Sequence, residues 1–159
     1  MKLGATVEVE GLTKRFQVGS ETFGRGEWVT AVDDVSFDLA ENETLGLVGE
    51  SGCGKSTTAR MLLNLIPATS GEVHYRGYRL QAMSRRQLRP LRKELQMVFQ
   101  DPFASLDPRM TVANLIGEPL QIQGTWDNNG RERVQQLLTM VGLNPEHGNR
   151  YPHEFSGGQ

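Results

Sequence analysis

The chain has 159 residues, enough for one modest domain with its own core and too few for two ordinary ones. Hydrophobic residues make up 37% and charged residues 23%, which excludes a disordered chain, and no apolar run approaches the ~20 residues that cross a bilayer. A formal net charge of -2 gives no pull towards nucleic acid, Met1-Lys2-Leu3-Gly4-Ala5 lacks the apolar stretch of a signal peptide, and the single Cys53 precludes an internal disulfide and fits a reducing cytosol.

In chain order, Thr6-Val7-Glu8-Val9-Glu10 and Val35-Ser36-Phe37-Asp38-Leu39 alternate apolar with polar, the pattern of half-buried strands. The stretch from Gly19 to Glu27 between them reads as an exposed loop. A turn at Glu41-Asn42-Glu43 leads into Thr44-Leu45-Gly46-Leu47-Val48, a short apolar run expected to be a buried strand. A helix is predicted from Ser56 to Ile66, with Ala59, Leu62, Leu63 and Ile66 at helical spacing and Pro67 at its end. Glu72-Val73-His74-Tyr75 and Tyr78-Arg79-Leu80 predict a hairpin turning at Arg76-Gly77. Ser84 is placed to cap a short helix through Glu94, made irregular by Pro90. Leu95 to Phe99 reads as another buried strand, and Pro102 and Pro108 bracket a loop. The remainder is helical in pattern. Val134, Leu137, Leu138 and Val141 share a helix face, and Gly142 is placed to stop it.

The chemistry concentrates in Gly49-Glu50-Ser51-Gly52-Cys53-Gly54-Lys55-Ser56, which fits G-x-x-x-x-G-K-[ST] at every fixed position, with a strand expected before it and a helix after. Glycines let backbone N–H groups turn inward around phosphate oxygens, and the helix N-terminus brings its positive end to the same oxygens. Lys55 is then placed to reach the β- and γ-phosphates and the Ser56 hydroxyl to ligate Mg2+. Cys53 has two readings, a thiol activated by the helix end or a small residue of which only the backbone matters.

A phosphate loop alone leaves kinases, GTPases and many ATPases open. Two later segments resemble one family. Met97-Val98-Phe99-Gln100-Asp101-Pro102 is similar to the Q-loop of ABC-type ATPases. Phe155-Ser156-Gly157-Gly158-Gln159 resembles their LSGGQ signature with Phe in place of Leu. Within the family, the stretches from Gln100 to Val112 and from Arg150 to Gln159, and the long loop before Val29, resemble the oligopeptide/dipeptide importer ATPases. Members of that subfamily import di- and oligopeptides, glutathione or nickel.

The resemblance implies an α/β fold: an incomplete P-loop (RecA-like) core with an N-terminal antiparallel β-subdomain and part of a helical subdomain. The expected division is 1–99 for the β-subdomain and phosphate-loop core, and 100–159 for the Q-loop, helical subdomain and signature. It further implies ATP held by Gly49 through Ser56 (Gly49, Glu50, Ser51, Gly52, Cys53, Gly54, Lys55, Ser56) and Thr57, and Mg2+ held at Ser56 and Gln100. Phe16 matches the aromatic that stacks on adenine, against a plain reading as a core or edge aromatic. Ser156, Gly157, Gly158 and Gln159 would contact the γ-phosphate of ATP held by a second subunit. A rival reading makes Leu95 to Phe99 plus Asp101 the acidic metal-binding strand of other phosphate-loop enzymes, but Gln100 interrupts that pattern.

The implied partners are transmembrane permease subunits and a second ATP-binding subunit, on the cytoplasmic face of the cell membrane, with no nucleic acid. The family's acidic metal strand, catalytic Glu and switch His find no match before Gln159, and His74, His147 and His153 do not stand in that place. The expectation is ATP binding with little or no hydrolysis, in a chain of marginal stability. The alternative is a non-hydrolysing fragment that binds ATP or a partner. Arg85, Arg86, Arg89, Arg92 and Lys93 read as a solvated helix face rather than a nucleic-acid site. Trp28 and Trp126 read as packing residues. Val112, Leu115 and Ile116 are candidates for either core packing or permease docking.

Overall fold

A computed structural model of the chain describes residues 5–19, 27–101, 105–127 and 129–156. Most of the loop expected between Gly19 and Glu27, Pro102 of the bracketed loop, and Gly157, Gly158 and Gln159 of the expected signature lie outside the described residues. The chain divides into two compact units, Met1–Gln96 and Met97–Gln159.

In the first unit the two predicted strands form and run well past their alternating cores, as β1 (Ala5–Val18) and β2 (Glu27–Ala40). They pair antiparallel, and β1 also pairs with β3 (Ser70–Tyr75), which turns at Arg76-Gly77 into β4 (Tyr78–Arg79). Arg76 (φ 48°) and Gly77 (φ 80°) both adopt the left-handed conformation of a tight hairpin turn. The sheet order is β2-β1-β3-β4. Its apolar face buries Val9, Leu12, Val32, Val73 and Tyr75 against Met61, Leu80 and Leu88. Leu12 and Leu80 are fully enclosed, each contributing about 1.5–3 kcal/mol by burial. Where β1 crosses β3, a Cβ built on Gly71 (φ 85°) would fall 2.3 Å from the Gly11 carbonyl oxygen, so the two backbones meet with no room for a side chain.

The sheet is not regular. The β1–β2 register shifts between Val9 and Leu12, Leu12 and Lys14, and Lys14 and Arg15, and Gly11 (φ 55°) and Asp34 (φ 48°) sit at the disturbance in left-handed conformation.

Helix α1 (Lys55–Leu62) follows the glycine-rich loop and ends four residues before the predicted Ile66. Asn64 (φ 49°) turns the chain out of the helix, and the Arg92 guanidinium donates to the carbonyls of Leu63 and Asn64, taking the place of a further turn. Arg92 is therefore a helix-end clamp rather than part of a solvated face. Thr58 and Met61 are the buried residues of α1, while Ala59, Leu62, Leu63 and Ile66 are half-buried. Helix α2 (Arg85–Leu91) stops short of Glu94, and Ser84 and Gln87 close the predicted cap reciprocally.

Two strand expectations are corrected. Thr44–Val48 and Leu95–Phe99 are irregular, and Val48 and Val98 are 89% and 94% exposed. Among the described residues neither run has a neighbouring strand to complete its ladder, and an apolar run without a partner has no reason to stay paired or buried. Trp28 is corrected too. It is 63% exposed on β2 rather than packed.

In the second unit α3 (Val112–Ile122) is capped by the Thr111 hydroxyl, and α4 (Gly130–Met140) stops before Gly142 (φ 77°), which leaves Val141 outside the helix and exposed. Trp126 packs between the two helices. A Cβ at Gly117 or at Gly130 would fall about 2.6 or 2.5 Å from its ring, so both glycines make space for the indole. Val134 and Leu138 are buried and Leu137 half-buried, while Val112, Leu115 and Ile116 are half-buried. The Val112 N–H donates to the Arg150 carbonyl (2.9 Å), which ties the tail of the unit to the start of α3. Among the described residues no helix is long and apolar enough to cross a membrane.

Candidate functional site

The glycine-rich loop wraps the N-terminus of α1. Gly54 is the N-cap (φ 97°, ψ 0°), and no side chain caps the helix, so the first-turn N–H groups face outward with no helical acceptor. A Cβ on Gly54 would meet the Ala31 carbonyl oxygen of β2 at 2.1 Å. Glycine is thus required twice, for its left-handed backbone and for contact with the sheet. At Gly49 a Cβ would fall 2.6 Å from the Cys53 Sγ, so the thiol takes the space that a side chain there would need.

Lys55 reaches back over the loop. Its Nζ donates to the carbonyls of Gly49 (2.8 Å) and Glu50 (2.6 Å) and lies 3.5 Å from the Cys53 Sγ. The Cys53 N–H donates to the Glu50 carbonyl at 3.3 Å, closing the loop as a turn. The Thr58 hydroxyl and N–H both bond the Gly54 carbonyl, at 3.0 and 2.8 Å, which locks the first turn from behind. Ser56 is exposed at the helix start and Thr57 half-buried beside it. A cavity of about 360 Å³ lies against this loop, with Thr30, Ala31, Val32, Val48, Cys53 and Lys55 among its walls. The arrangement offers a cluster of N–H donors, one ammonium and one hydroxyl at a helix N-terminus. That donor set suits an anion carried with a hydrated hard cation. Among the described residues no group of three His, Cys, Asp or Glu side chains could hold a metal by itself.

Phe16 sits near the end of β1, opposite Val29 of β2 and 41% exposed. The Lys14 ammonium lies 5.0 Å from its ring centroid.

The other predicted residues belong to the second unit. Gln100 is exposed in the irregular stretch after Phe99, and Asp101 is exposed beside it. A few residues on, Arg109 grips the Asp107 carboxylate through its guanidinium and backbone N–H, holding that carboxyl below its ordinary range and the guanidinium above its own. Ser156 is exposed after the turn Pro152–Glu154. His147 packs edge-on against Phe155 with its Nδ1 buried and unpartnered, and His153 stacks on Tyr151. In the first unit, His74 is paired with Glu72 on β3 at 2.9 Å.

Sequence reasoning missed three supports: the Ala31 carbonyl behind Gly54, Arg92 at the end of α1, and the Thr13 hydroxyl in the β1 irregularity. None has a periodic signal, because each acts through a partner distant in sequence.

Comparison with known proteins gives the family. The chain is 52% identical over 155 residues to the glutathione import ATP-binding protein GsiA of Salmonella typhimurium, covering 96% of this chain and 25% of that protein. It is 56% identical over 134 residues to the oligopeptide transport ATP-binding protein OppF of Bacillus subtilis, covering 82% of this chain and 44% of that protein. The chain thus spans a quarter of the length of the first relative and under half of the second. Among solved structures it superimposes, with a TM-score of 0.78 and 27% identity, on a dimeric ATP-binding cassette in a post-hydrolysis state bound to ADP and Pi, covering 96% of this chain and 64% of that one. The family described as ABC transporter matches residues 32–159, from Val32 in β2 to Gln159, and this chain belongs to that family.

Proposed function

We propose that the chain is the ATP-gripping portion of the motor subunit of an ABC importer for peptides or glutathione. One observation carries the reading: an uncapped helix N-terminus behind a glycine-rich loop, where Gly54 has no room for a Cβ and Lys55 folds back over the loop. The N–H groups from Gly52 to Ser56 would hold the β-phosphate. Lys55 would exchange its carbonyl partners for β- and γ-phosphate oxygens, where a charge-assisted bond is worth more than a neutral one. Mg2+, when bound, would neutralise phosphate charge, with the Ser56 hydroxyl as a protein ligand. Phe16 would stack on adenine. Ser156, Gly157, Gly158 and Gln159 would meet the nucleotide of a second ATP-binding subunit, their small size permitting close backbone approach.

The names of the relatives support glutathione or oligopeptides as cargo; permease subunits as partners and a peripheral place on the cytoplasmic face of the membrane belong to the same reading. The test is binding of Mg-ATP to the chain and to Lys55→Ala. Loss of the ammonium weakens affinity by about 10- to 100-fold. An unchanged affinity in the variant overturns the assignment.

A further inference from the structure

Between the pairs Val9–Phe37 and Arg15–Thr30, β1 advances six residues and β2 seven, so the ribbon carries one extra residue on β2 and must bend and twist there. Two left-handed residues make the bend, Gly11 on β1 and Asp34 on β2. Between them lies Thr13, only 7% exposed. Its hydroxyl accepts from the Asp34 N–H at 3.0 Å and donates to the Gly11 carbonyl at 3.3 Å. The Gly11 N–H is taken by the Ser36 hydroxyl at 2.8 Å. A bulge strands backbone groups that the ladder would otherwise satisfy, and here a side-chain hydroxyl supplies the missing partner.

Beyond the bend the ribbon is bonded to the chain leaving α1. Thr69 donates its N–H to the Thr13 carbonyl (2.8 Å) and accepts from the Arg15 N–H through its hydroxyl (2.9 Å). Lys14, whose ammonium lies against the Phe16 ring, donates to the Pro67 carbonyl at 2.7 Å. At the other end of α1, the β2 carbonyl of Ala31 abuts Gly54. The ribbon that carries Phe16 is thus braced at both ends of the helix that starts in the phosphate loop.

We propose that the bulge at Gly11, Thr13 and Asp34 is a positioning device, fastened by the Thr13 hydroxyl, that aims Phe16 at the base of a nucleotide whose phosphates sit at Gly49–Ser56. This rests on the reading of Phe16 and the phosphate loop given above. Thr13 touches no nucleotide; it acts through Phe16. Without its hydroxyl the bulge loses its fastener. A register change of one residue would then turn every side chain of the distal ribbon, Phe16 included, to the opposite face.

The experiment measures affinity of the chain for ATP and for inorganic tripolyphosphate, both with Mg2+. Thr13→Val should weaken ATP at least about fivefold and leave tripolyphosphate within about twofold, since a lost hydrogen bond acts only through the base. Thr13→Ser should restore ATP affinity. Equal weakening of both ligands, or no weakening of either, overturns the proposal. Phe16→Ala serves as the separate check on the stacking reading. If it leaves the ratio of the two affinities unchanged, the adenine platform itself is wrong and the inference goes with it. If Phe16→Ala shifts the ratio and Thr13→Val does not, the inference alone fails. Should Thr13→Val not fold, the exposed Thr69→Ala removes the tether at Arg15, and the same selective loss for ATP is expected; parity between the ligands refutes the device.

Discussion

The four-stranded sheet and the two segments Thr44–Val48 and Leu95–Phe99 are made of the same kinds of residue and end in opposite environments. In the sheet, Val9, Leu12 and Val73 are sealed between paired strands and the helices above them. In the two segments, Val48 and Val98 face outward from irregular backbone. β-propensity is similar in both, so it does not account for the difference. What separates them is whether a second strand satisfies the backbone groups and covers the face. Strand formation is a property of the pair.

That contrast can be broken from either side. Leu80→Ala, at a fully enclosed position, should destabilise the chain by about 2–5 kcal/mol in denaturant unfolding, as expected for a deep core cavity. Tyr75→Phe should cost under about 1 kcal/mol, because its partner Glu94 is only half shielded from water. It also has a pH signature. The hydrogen bond to Glu94, with burial second, raises the Tyr75 phenol above its ordinary 10.0, outweighing the opposing pull of Arg76. A group whose folded pKa is raised stabilises fully below its unfolded value and loses that contribution as pH climbs through the folded one. Stability should therefore fall above about pH 10 in the parent and not through this group in Tyr75→Phe, as melts at pH 8 and pH 11 would show. Val98→Thr should change stability by no more than about 0.5 kcal/mol, and a larger loss would mean that the segment is more deeply packed than its exposure indicates.

Much of the fold was legible in the residues. Alternation marked β1 and β2, the Arg76-Gly77 turn marked the hairpin, and Ser84 marked the start of α2, because each signal is local. The glycine-rich turn before α1 was equally plain, since its spelling supplies the left-handed residues Gly52 and Gly54 that the turn adopts. What misled was the assumption that apolar runs become strands wherever they occur, and that helical spacing carries α1 on to Ile66. A left-handed Asn64 and an arginine 28 residues later set that end instead. The bulge at Thr13 was invisible for the same reason. Its partners, Asp34 and Gly11, are named only once the strands are paired.

At Gly71 the chains of β1 and β3 approach until a hydrogen is the largest substituent the site admits. In a saturation library that position should tolerate almost nothing, alanine included, although no ligand role is assigned to it. Intolerance there would speak of crowded main chains, and reading it as a mark of chemistry would send the search for the active residues to the wrong strand.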